Sequence, residues 1–128
     1  MRKVNLTYIV DDDKIFVFVL KRILEKNKNF NQVLDFKNGK EVLNKLFDSD
    51  IVLPDIILLD INMPVIDGWQ FLEQIEKLPN KEELNVFIMS SSIDANDIEK
   101  SKSFSTVKDF ISKPINNDKI NKLIESIS

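Results

Sequence analysis

The chain has 128 residues, with 18 Lys and Arg against 21 Asp and Glu, a formal net charge of -3, and neither cysteine nor histidine. That balance, with a pI of 5.0, argues against a nucleic-acid binder that works by neutralising phosphates. Without Cys or His there is no disulfide, thiolate site, cysteine nucleophile or internal imidazole base, and zinc lacks its usual ligands. The length suits a single domain over residues 1–128 with one sizeable core.

The N-terminal stretch from Met1 reaches Asp11 before the apolar centre of a signal peptide can form, and no later run approaches membrane-spanning length. A cytoplasmic protein without membrane insertion is therefore expected. The first apolar run, Leu6 to Val10, reads as a strand closed by Asp11-Asp12-Asp13. Asp13 is placed to cap a helix from Lys14 to Lys26, in which Phe16, Val19, Leu20, Ile23 and Leu24 recur at helical spacing as one apolar stripe. Ile15, Val17 and Phe18 fall outside that stripe and are expected to be partly exposed, as at an interaction surface.

A second strand, Gln32 to Phe36, precedes a helix from Gly39 to Phe47. The third strand, Asp55 to Leu59, runs into Asp60 and then Ile61-Asn62-Met63-Pro64, and Asp67-Gly68 opens a third helix reaching Leu78. The fourth strand, Val86 to Met89, ends in Ser90-Ser91-Ser92. The fourth helix is anchored mainly by Ala95, Ile98 and Phe104 in a stretch rich in Ser, Asp and Asn, which compete with the helix for backbone hydrogen bonds, so it is expected to be the most mobile element. A fifth strand, Val107 to Ile111, leads to Ser112-Lys113-Pro114, and Ile120, Leu123, Ile124 and Ile127 share one face of a last helix from Asn117 to Ile127. Five alternating strand-helix units predict an α/β fold with a doubly wound, five-stranded parallel sheet, whose ligands bind at the carboxyl ends of the strands.

The acidic cluster, Asp60, Ser90 and Lys113 all fall at those ends. Three or more carboxylates at close range repel in a partly dry site, and a hard divalent cation with oxygen ligands, such as magnesium, relieves them. Lys113 supplies a compact positive charge for a phosphoryl oxygen, and Asp60 can serve as the nucleophile that becomes an aspartyl phosphate. Taken singly, the signals have plainer readings: capping for the acidic triplet, a turn for the serines and for Asp67-Gly68, a core aromatic for Phe110. Their joint order and spacing favour the chemical reading.

With Asp11-Asp12, Asp60, Met63-Pro64, Asp67-Gly68, Ser90 and Lys113-Pro114 in that order, essentially the whole chain resembles the receiver domain of two-component response regulators. The resemblance implies a flavodoxin-like strand order of 2-1-3-4-5 and a cytoplasmic phosphoprotein acting in a two-component system or phosphorelay. Such a domain takes a phosphoryl group on Asp60 from a histidine kinase or histidine phosphotransfer protein, in a reaction dependent on magnesium or manganese. It implies that Asp12 and Asp60 bind the cation directly, Asp11 mainly through water, and Asn62 through its backbone carbonyl. It also implies a switch in which Ser90 moves to the phosphoryl group and Phe110 turns inward, altering the face made by the fourth helix, fifth strand and fifth helix. Such a protein promotes its own phosphorylation and dephosphorylation without being an enzyme in the ordinary sense, and signals to a downstream protein rather than to nucleic acid. Two positions depart from the family: Ser105-Thr106 stands where Gly-Ala is common, and the switch aromatic is Phe110 rather than Tyr.

The exposed residues of the first helix suggest a docking site for a helix of the kinase or phosphotransfer protein, with Ile15 and Phe18 at its centre and Lys14 and Arg22 at its rim. The principal rival is a protein-binding module of the same fold that works without phosphorylation. A haloacid-dehalogenase-like phosphatase would need an acid two residues after its nucleophile, where Asn62 stands, and a flavodoxin-like cofactor carrier would need a phosphate cradle where Asp11-Asp12-Asp13 would repel phosphate.

Overall fold

In the computed structural model, which describes residues 3–48, 50–63 and 66–127, strands and helices alternate along the chain. They are β1 (Val4–Val10), α1 (Lys14–Lys26), β2 (Phe30–Phe36), α2 (Gly39–Leu46), β3 (Ile56–Asp60), α3 (Gly68–Ile75), β4 (Val86–Ser90), α4 (Ala95–Ser101), β5 (Val107–Ser112) and α5 (Asn117–Ile127). Pro64, part of the motif after Asp60, lies outside the described residues, as do Met1 and Arg2. The strands pair in parallel in the order β2-β1-β3-β4-β5. No helix among the described residues is long and apolar enough to cross a membrane.

Strand alternation builds a core on each face of the sheet. Ile56 and Leu58 of β3 pack with Val17, Leu20 and Leu24 of α1 and with Ile120, Leu123 and Ile124 of α5. Ile57 and Leu59 face the other way, onto Val42 and Leu46 of α2 and Phe71, Leu72 and Ile75 of α3. Because β3 is covered on both sides, all five of its residues are buried, which explains its uninterrupted apolar sequence. It begins and ends one residue later than the expected Asp55 to Leu59. The Asp55 carboxylate accepts hydrogen bonds from the backbone N–H groups of Asn5 and Leu6, and its own N–H donates to the Leu6 carbonyl, so Asp55 ties the start of β1 to the chain entering β3.

Helix α1 has the predicted bounds and cap: the Asp13 carboxylate accepts from the N–H groups of Ile15 and Phe16. The phase of its buried face differs. Val17 is buried with Leu20 and Leu24, whereas Val19 is 51% exposed, and Phe16 and Ile23 are only half-buried. Eight of the ten residues from Ile15 to Leu24 are apolar or aromatic, on nearly every side of the helix, leaving periodicity little to distinguish. Helix α3 stops at Ile75, short of the expected Leu78, because Pro79 disfavours helical backbone in the residue before it; Leu78 is still buried, in the turn that follows.

Helix α4 buries only Ser101 among its residues. Phe104 lies beyond its end and stacks on Trp69 of α3 at 6.1 Å, while the Lys100 ammonium sits 4.8 Å from the Trp69 ring centroid. The Ser105-Thr106 turn that follows is clasped by Glu76, which accepts from the Ser105 hydroxyl, the Thr106 N–H and the Lys81 ammonium. Burial works to raise the Glu76 pKa, but these hydrogen bonds outweigh it and hold the carboxyl at about 2. In β5 the pairing with β4 steps from Val86–Val107 to Phe87–Asp109, leaving Lys108 as an extra residue in the edge strand.

Candidate functional site

Two neighbouring parallel strand ends bring the acidic residues together. Asp11 follows β1 and is buried, Asp60 is the last residue of β3 and 6% exposed, and Asp12 is exposed beside them. One carboxylate oxygen from each lies within 4.8 Å of the others. Asp13, the fourth carboxylate of the region, is committed to capping α1, so the triplet divides into two residues that face the site and one that builds the helix. The Asp13 N–H in turn donates to Asp11 Oδ1 at 2.9 Å, fixing the loop against the helix start.

Lys113 enters from the end of β5. Its Nζ lies 2.9 Å from Asp11 Oδ2 and 3.8 Å from Asp60 Oδ2, and 4.2 Å from the ring centroid of Phe16. The turn carrying it contains a cis Lys113–Pro114 bond and is held from two sides. The Lys113 N–H donates to the Ser90 carbonyl, and the Lys119 ammonium donates to the carbonyls of Ser112 and Pro114 and to the Ser112 hydroxyl. Nothing local in the sequence marks Lys119 for this role, which depends on how α5 folds back over the turn.

Ser90 is buried at the end of β4, where its hydroxyl donates to the Ser92 carbonyl at 2.8 Å and accepts from the Ser92 N–H. The Asn62 N–H donates to Asp60 Oδ1 at 2.9 Å, setting the rotation of that carboxylate. Phe110 pairs with Ile88 and is half-buried against the core on the α2 and α3 face. The structure thus gathers Asp11, Asp12, Asp60 and Lys113 in one site, with Ser90 and Asn62 at its margins. Phe110 stands apart on the neighbouring edge strand.

Three carboxylates against one ammonium leave a negative surplus. Burial pushes the Asp60 carboxyl up from its ordinary 3.8 to about 6, and the charge of Asp11 pushes the same way, while the Asn62 N–H and Lys113 pull it down. All-oxygen donors carrying surplus negative charge fit a hard divalent cation such as magnesium or manganese.

The shift has a stability consequence. A raised pKa means that the folded protein holds this proton more tightly than the unfolded chain, so the stabilisation is complete below 3.8 and is lost as pH rises through about 6. In the absence of metal, denaturation of the wild-type protein should therefore show a loss of about 1 to 2 kcal/mol relative to Asp60→Asn between about pH 4 and about pH 7.5. Millimolar magnesium should remove most of that loss. Parallel stability profiles for the two proteins would mean that Asp60 is not strained by its neighbours.

On the outer side of the site, α1 exposes Ile15 (79%), Phe18 (62%) and Val19. The Arg22 guanidinium lies 5.6 Å from the Phe18 ring centroid, and Lys14 is exposed at the helix start. Val19 therefore replaces Val17 in the exposed set expected from the sequence.

Residues 7–125 match the family model described as the response regulator receiver domain. The chemotaxis protein CheY of Listeria monocytogenes is 31% identical over 120 residues, covering 94% of this chain and 96% of that protein. The chemotaxis protein CheY of Bacillus subtilis is 30% identical over 112 residues, 88% of each. Among solved structures, a two-component response regulator from Cytophaga hutchinsonii superposes with a TM-score of 0.89 at 28% identity, covering 98% of both chains.

Proposed function

We propose, on the premise that the chain belongs to the response regulator receiver family, that Asp60 accepts a phosphoryl group from a histidine kinase or a histidine phosphotransfer protein. The observation that carries this reading is Asp60 at the end of β3, with Asp11 and Asp12 on one side and the Lys113 ammonium on the other. Membership places the protein in two-component signalling; the phosphoryl chemistry and its residues are our reading.

Asp11, Asp12 and Asp60, with the Asn62 carbonyl, would hold magnesium, which when bound supplies positive charge to the equatorial oxygens of the transferring group. A carboxylate oxygen of Asp60 forms the new P–O bond as the P–N bond to the donor imidazole breaks. The electron pair leaves with the nitrogen. With a pKa of about 6, Asp60 is mostly ionised at neutral pH and available for this attack. Lys113 pairs with a phosphoryl oxygen, and Ser90 exchanges its bond to the Ser92 carbonyl for one to the phosphoryl group. That exchange gives the two states different contacts, the requirement for a switch, and Phe110 on β5 is the aromatic that follows it. The test is uptake of a phosphoryl group from a small phosphodonor with and without magnesium.

The exposed apolar surface of α1 stands beside this site, and we assign it to the phosphodonor protein, with Ile15 and Phe18 buried on docking and Lys14 and Arg22 at the rim. Phe18→Ala should slow transfer from the cognate donor about tenfold, as expected for a buried aromatic anchor, and leave labelling by a small phosphodonor unchanged. Equal transfer rates for Phe18→Ala and the wild-type protein would remove α1 from the docking surface.

A further inference from the structure

The Lys113 side chain is 19% exposed and has neighbours of two kinds. The carboxylates of Asp11 and Asp60 attract it at 2.9 and 3.8 Å. The face of Phe16 lies 4.2 Å from the ammonium, well inside the range of cation–π attraction. The ring stands on the same short segment that supplies Asp11: Phe16 lies in the first turn of α1, its N–H is bound by Asp13, and the Asp13 N–H is bound by Asp11. The backbone that carries the ring is thereby tied to Asp11.

The two attractions respond differently to occupation of the site. A divalent cation on the carboxylates neutralises the charge that draws Lys113 in and adds repulsion of its own, just when the ammonium is needed near Asp60. The attraction of a ring face for a cation does not depend on those carboxylates. We propose that Phe16 is a positioning residue for Lys113, holding the ammonium over the site as its carboxylate partners are taken up. This rests on the reading of Asp60 as the phosphoacceptor.

Three measurements test it. In metal-free protein labelled with 13C and 15N at lysine, the Lys113 side-chain resonances should lie upfield from the ring current of Phe16 and return to ordinary lysine positions in Phe16→Leu. With magnesium and a small phosphodonor, Phe16→Leu should lower the rate of Asp60 phosphorylation about tenfold, within the range of a desolvated cation–π contact, and Phe16→Tyr should restore it. The magnesium affinity of Phe16→Leu, read by titration, should stay within about twofold of wild type, since the ring is not a ligand. A wild-type rate in Phe16→Leu, or an equal fall in the Leu and Tyr variants, would overturn the positioning role. A folded wild-type protein that takes up no phosphoryl group would overturn the phosphoacceptor reading and this role with it. An ordinary Lys113 spectrum in a wild-type protein that is phosphorylated would overturn the Phe16 contact alone.

Discussion

Asp60→Asn is expected to take up no phosphoryl group from a small phosphodonor under conditions where the wild-type protein gains one, as read by intact mass with and without magnesium. An amide has no oxygen basic enough to attack phosphorus, so uptake should fall by orders of magnitude. The change is nearly isosteric and removes a buried charge that repels Asp11, so the variant should fold at least as well as the wild type, and loss of uptake cannot be attributed to unfolding. Persistent labelling of Asp60→Asn would move the acceptor to another residue. A folded wild-type protein that takes up nothing would favour a binding module that works without phosphorylation, and pull-down of its partner would then become the informative experiment.

Gly68→Ala should destabilise the fold by about 2 to 3 kcal/mol and slow phosphoryl uptake as well. A Cβ at Gly68 would lie 2.5 Å from the Cα of Ile61 and 2.9 Å from its Cγ2, and the Gly68 N–H donates to the Ile61 carbonyl. The obstruction is backbone, and Ile61 directly follows Asp60, so relief must displace either the start of α3 or the loop that presents the phosphoacceptor. Gly39→Ala is the control. Its Cβ would meet the Phe71 ring at 3.1 Å, and a side chain can give way where backbone cannot. Chemical denaturation and initial labelling rates of the two variants distinguish the cases, and a Gly68→Ala variant as mild as Gly39→Ala would refute the close-approach argument. The Asp67-Gly68 pair therefore does more than form a turn into a helix: Asp67 caps α3 and Gly68 lets it approach the site.

The strands and their order were legible because each β run is short, apolar and followed by polar residues that close it, and because the ordered motif carried the topology with it. The site was legible for the same reason: its groups sit at strand ends, where one residue in sequence becomes one position in space. Side-chain direction on α1 was not, since Val17 and Val19 are chemically alike and only the sheet decides which is covered. Contacts between distant segments were also silent. Phe16 over Lys113, Lys119 over the Ser112 to Pro114 turn, and Glu76 beneath Ser105-Thr106 each join residues whose meeting depends on completed packing. The Glu76 clasp also shows how this chain builds its Ser-Thr turn, by giving the Ser105 hydroxyl and the Thr106 N–H a common acceptor.

The extra residue at Lys108 bears on how the sheet meets other proteins. β5 is an outer strand, and an outer strand with a regular, flat ladder invites a further strand and, through it, aggregation. Here the ladder is broken by Lys108 and followed by Asp109, whose carboxylate accepts from the Phe110 N–H. An added strand would have to close over a displaced lysine and compete for that N–H. The edge is thereby guarded against polymerisation, and a partner that reads it meets side chains instead of an open backbone.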